Sequence, residues 1–155
     1  MNGDDDTRLE DWFLRMILMN SQELEEIVES RIDGFLKIEQ DTSETLIARG
    51  TVNDGENNIE IYINIGRREE AFVRKIQDLI ARAGEGEDNY IICIAKEFDN
   101  ADVEELMQDV VFYLEKNIKL IFLKVDINIE ESEEMNFKDI IKEEIGIKVY
   151  RKEHY

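Results

Sequence analysis

Side chains that could act on a substrate are unevenly supplied in this sequence, with 38 acidic residues against 19 basic ones, one histidine and one cysteine. His154 is next to last, a poor position for the base of a Ser-His-Asp or Cys-His arrangement. Cys93 lies in the most apolar run, Ile91-Ile92-Cys93-Ile94, where a thiol serves packing, and a lone cysteine forms no internal disulfide. No His/Cys cluster has metal-ligand spacing. Gly84-Glu85-Gly86 follows a helical pattern and lacks the Gly-Lys-Ser/Thr ending of a phosphate loop; a helix C-terminus is also the wrong end for a phosphate. What remains is acid. Asp102, Glu105 and Asp109 recur at three- and four-residue spacing, opposite the apolar Val103, Leu106, Met107 and Val110. Such a row is either a solvated face or a docking face for a basic protein.

The elements that must position these residues are readable from periodicity. In Ile59-Glu60-Ile61-Tyr62-Ile63-Asn64-Ile65 the isoleucines occupy every second place, so the segment is a strand with Glu60, Tyr62 and Asn64 on its other face. After Gly66 the period changes: Ala71, Phe72, Ile76, Leu79, Ile80 and Ala83 form one stripe of a helix that stops at Gly84. Tyr90 to Ala95 has no polar face, as a strand covered on both sides requires. Strand, crossover helix and buried strand make a parallel βαβ unit.

Upstream, Asp6 or Thr7 can cap a helix carrying Leu9, Trp12, Phe13, Met16 and Ile17. Asn20 with Glu23 resembles a capping box for a second helix, with Gly34 as its exit. Phe35 to Glu39 and Glu44 to Val52 read as strands, and Asn53-Asp54-Gly55 as the turn into the isoleucine strand. Downstream come a helix over 101–116, a strand over 118–129, an acidic loop at 130–134, a last helix (Phe137, Ile140, Ile141, Ile145) and an edge strand over 147–150. The expected class is α/β (α+β): a central mixed sheet, an antiparallel meander followed by a parallel βαβ unit, with helices on both faces. Residues 1–6 read as a disordered acidic leader and 7–155 as a single domain.

A net charge of −19 argues against broad nucleic-acid binding, which depends on basic side chains, and favours basic partners. No segment reads as membrane-directed, and the unpaired cysteine fits a reducing, cytoplasmic setting.

The order helix, three-stranded meander, helix, strand, helix, strand resembles the restriction-endonuclease-like, or PD-(D/E)XK, superfamily. The likeness runs through Gln77-Asp78-Leu79-Ile80-Ala81-Arg82-Ala83-Gly84, Ile91-Ile92-Cys93-Ile94-Ala95-Lys96-Glu97-Phe98 and Ile121-Phe122-Leu123-Lys124-Val125. It implies carboxylates from two neighbouring strands, often with a Glu from the first helix, holding a divalent metal, and a lysine orienting the attacking water. Matching the segments puts the carboxylate-x-lysine motif on Asn64-Ile65-Gly66, with the preceding acid at Thr45 or Glu44; Asn64 is neutral and Gly66 has no side chain. A shifted register gives Glu60, with Asp54 upstream, Glu29 on the helix and Lys75 reaching in from the next helix. The resemblance thus implies a nuclease-like scaffold with a decayed site.

Two functions are expected from this. In the first, the protein is non-catalytic, needs no cofactor and binds a basic protein surface through acids such as Asp102, Glu105 and Asp109, as an inhibitor of a nucleic-acid-handling defence enzyme or as a toxin-immunity protein. In the second it is a Mg²⁺-dependent nuclease using Glu29, Glu44, Glu60 and Lys75. A homodimer is compatible with both.

Overall fold

The computed structural model describes residues 7–18, 21–84, 88–108, 117–126 and 137–150. Helix α1 spans Arg8–Phe13 and continues as a π-helical turn over Leu14–Leu18. Helix α2 (Gln22–Val28) ends at Glu29, whose φ of 56° turns the chain left-handed. Strands β1 (Ile32–Gln40), β2 (Thr45–Val52) and β3 (Asn57–Asn64) form the antiparallel meander. Helix α3 (Phe72–Ala81) crosses to β4 (Asp88–Ala95), and α4 (Asn100–Gln108) precedes β5 (Asn117–Val125). A short α5 (Phe137–Ile140) leads into β6 (Ile141–Tyr150).

Among the described residues the result is one six-stranded mixed sheet whose spatial order is its chain order, β1 to β6. Strands β3, β4 and β5 are mutually parallel, and β6 returns antiparallel to β5. The meander and the βαβ unit are therefore as the periodicity indicates, and β3 is the strand they share.

Two apolar layers hold the sheet. On one face Ile59, Ile61 and Ile63 of β3, with Ile92 and Ile94 of β4, pack against Leu9, Trp12, Phe13, Leu24 and Val28. On the other, Tyr62, Ile91, Cys93, Leu120 and Phe122 meet Phe72, Ile76, Leu79 and Ile80 of α3 and Val103 and Leu106 of α4. The alternation in β3 thus places its polar positions under α3, so Tyr62 and Asn64 are buried rather than left at a wet surface. Cys93 is fully buried, and desolvation pushes its thiol well above the ordinary range. No helix among the described residues is long and apolar enough to cross a membrane.

Three sequence expectations change. The stretch from Ile141 to Ile145 is strand rather than helix, because β5 offers an open ladder of peptide groups with which eight residues of β6 pair. Gly34 lies inside β1, since the left-handed turn at Glu29 has already ended α2. Helix α2 begins from Ser21 without a side-chain cap. Asn20, the 1–6 leader, the 130–134 acidic run and His154 lie outside the described residues.

The hairpin from β2 to β3 needs left-handed backbone at Asn53, Asp54 and Gly55, with φ of 54°, 57° and 84°. Asp33 on β1 fixes it, accepting hydrogen bonds from the Asp54 and Gly55 N–H groups (3.0 and 2.8 Å) and from the Thr51 hydroxyl (2.9 Å).

Candidate functional site

The chemistry-bearing side chains gather where β3 and β4 end and the 65–71 loop begins, at the C-terminal edge of the parallel strands, the usual place for ligand sites in α/β sheets. Asn64, buried at 4% exposure, organises this loop: its Nδ2 donates to the Arg67 carbonyl (2.8 Å) and its Oδ1 accepts from the Gly66 N–H (2.8 Å). Both ends of its amide are engaged, so it is a turn clasp rather than a free ligand.

A relay of charged groups runs from the strand outward. The Tyr62 hydroxyl donates to Glu69. The other Glu69 oxygen accepts from Lys75 Nζ (2.7 Å), and Lys75 also reaches Asp41 (3.0 Å). Burial, then the hydrogen bond and charge of Glu69, push the Tyr62 phenol far above its ordinary value, so it stays a donor. Desolvation acts to lower Lys75, but its hydrogen bonds to Glu69 and Asp41 and their charges outweigh it and raise the ammonium pKa. Lys75 is thus held as a cation by two acids and is a poor general base.

Beside the relay, Arg68 forms a two-pronged pair with Asp102 (Nε–Oδ2 2.8 Å, Nη2–Oδ1 3.1 Å) and stands 3.7 Å from Asp99. The Asp102 hydrogen bond is the first cause of a raised Arg68 pKa. Asp102 is only 9% exposed. The expected outward row of acids is therefore broken at its first member: Asp102 faces the 65–71 loop, drawn in by Arg68. Glu105 is exposed as expected, and Asp109 lies outside the described residues.

The four residues of the nuclease reading are not brought together. Glu29 is exposed at the opposite end of the sheet, beside a cavity of about 210 Å³ lined by Asp88, Tyr90 and Lys119. Glu44 lies over Gly66, and its carbonyl accepts from the Ile65 N–H (2.9 Å). Glu60 sits opposite Arg49 on the β2–β3 ladder, where Thr45 faces Asn64, which puts it roughly 16 Å along the strands from Glu44. Its Oε1 pairs with Arg49 Nε (3.2 Å), while its buried Oε2 has no hydrogen-bond partner. Burial raises the Glu60 carboxyl against the lowering charge of Arg49. Lys75 belongs to the Glu69–Asp41 relay. Among the described residues no group of three or more His, Cys, Asp or Glu side chains could hold a metal ion.

Sequence reasoning missed Tyr62, Arg68, Glu69, Asp41 and Arg49. The signal for some of them was present: Arg67-Arg68-Glu69-Glu70 is a mixed charge cluster directly after a strand that begins a parallel crossover. Beyond these pairs the exposed charges of the outer rim are Glu70, Glu97, Glu104 and Glu105, against Arg67 and Lys96. The chain matches no protein-family model, no curated protein and no solved structure.

Proposed function

We propose that this protein is a non-catalytic binding domain that docks on a basic protein surface, with carboxylates of the rim standing in for the phosphates or acids such a surface normally meets. The observation that carries this reading is the distribution of charge around the strand ends. Arg68 and Lys75 are engaged by Asp102, Asp99, Glu69 and Asp41, while Glu97, Glu104 and Glu105 stay exposed. With Arg68 and Lys75 engaged by acids, the exposed acids outnumber the remaining exposed cations Arg67 and Lys96 and leave a negative face on a chain already at −19. Two uses fit that surface: occupying the nucleic-acid groove of a defence enzyme, and neutralising a basic toxin.

The test is a pull-down at low ionic strength followed by titration of the purified pair. A basic partner is expected, whose affinity falls about tenfold or more as salt rises and falls again in the Glu104→Gln/Glu105→Gln variant. Failure to recover any positively charged partner, or an affinity indifferent to salt, would sink the reading. Stabilisation by Mg²⁺ or Mn²⁺ that disappears in Glu60→Ala would support the nuclease reading instead.

A further inference from the structure

We infer that β1 is a self-association strand, pairing antiparallel with β1 of a second copy about a two-fold axis at Ile38, so that the two sheets become one. Strand β1 ends the sheet, and no described strand pairs with its outer edge. The Asp41 N–H donates to the Thr45 carbonyl (3.0 Å), and the ladder continues as Gln40–Leu46, Glu39–Ile47, Ile38–Ala48 and Lys37–Arg49. Peptide direction alternates along an antiparallel strand, so Asp41, Glu39 and Lys37 bond to β2 while Ile38 turns its N–H and C=O to the free side. An unpaired N–H and C=O on one residue can bond the same residue of another copy, with two equivalent hydrogen bonds.

Charge selects the register. Lys37 and Glu39 flank Ile38 on one face, each 59% exposed and paired with each other at 2.8 Å. With the axis at Ile38, Lys37 of each copy lies opposite Glu39 of the other, giving two complementary cross-strand pairs. Moving the axis to Leu36 would set Glu39 against Asp33, and moving it to Gln40 would set Glu39 against Asp41; both oppose like charges. Only the Ile38 register is self-complementary. The neighbouring pair on the same face, Arg49 with Glu60, is also balanced, so the contact zone is locally neutral on a strongly acidic chain. Leu36, 86% exposed beside a β-bulge, is the most exposed large apolar residue described, and this pairing carries it from solvent to a place opposite Gln40 of the second copy.

The charge pattern supplies its own experiment. Lys37→Glu alone opposes acid with acid, and Glu39→Lys alone opposes base with base, but a one-to-one mixture of the two variants restores complementary pairs across the axis. Sedimentation velocity on the full chain should find wild type dimeric, each variant weakened roughly tenfold or more in self-affinity, and the mixture dimeric again. Circular dichroism on each variant alone checks that the fold persists. Wild type that stays monomeric at the highest attainable concentration overturns the inference, as do variants that dimerise like wild type or a mixture that fails to recover.

Discussion

Glu60 shows how one side chain on a sheet can set a pH dependence. Burial raises its carboxyl, more than the Arg49 charge lowers it. An acid whose folded-state pKa is raised contributes stability fully below its unfolded pKa, and loses that contribution as pH climbs through the folded value. Glu60→Gln, which cannot ionise, should therefore gain on wild type in melting temperature as pH rises above the ordinary glutamate value of about 4. A difference that stays constant with pH would show that Glu60 ionises alike in the folded and unfolded chain. The carboxylate itself was visible in the sequence, as a polar break in the isoleucine alternation. Its partner was not, because Arg49 meets it only through the β2–β3 register. The same holds for Arg68 with Asp102 and Lys75 with Asp41, which are each 34 positions apart and joined only once the sheet is assembled.

Among the elements, β1 and β2 depend on one close approach. A Cβ added at Gly50 would fall inside the radius of the Gly34 carbonyl oxygen, a backbone atom in the paired strand. Gly50→Ala should therefore cost about 2 kcal/mol or more, because the strands themselves must separate. At Gly66 the atoms in the way belong to the flexible Glu44 carboxylate, so Gly66→Ala should cost less than about 1 kcal/mol. Chemical denaturation of both variants checks the contrast, and equal losses would refute it. Element type was legible wherever one period dominated, as in β3 and α3, or where a short apolar run had no polar face, as in β4. It failed at 141–145, where Phe137, Ile140, Ile141 and Ile145 keep helical spacing while Ile145, Ile147 and Val149 alternate. Local pattern could not arbitrate there, and the unfilled border of β5 did.

At the scale of the whole molecule, an excess of 19 negative charges opposes compaction. Added salt screens that repulsion more than it weakens the partly buried Arg68–Asp102 and Lys75–Glu69 pairs. The melting temperature should rise as NaCl goes from roughly 0.01 M to roughly 1 M, the opposite trend to the affinity for a basic partner. A steady fall would mean that internal ion pairs dominate over the net charge.

Because the described strands lie side by side in the sequence in which they are synthesised, no later one of them has to be threaded between two earlier ones. A nascent chain can complete the meander, lay β4 against β3 once α3 has emerged, and keep extending at a single growing border. Assembly can thus proceed in the direction of translation, with β5 awaiting β6 as the last of the described strands.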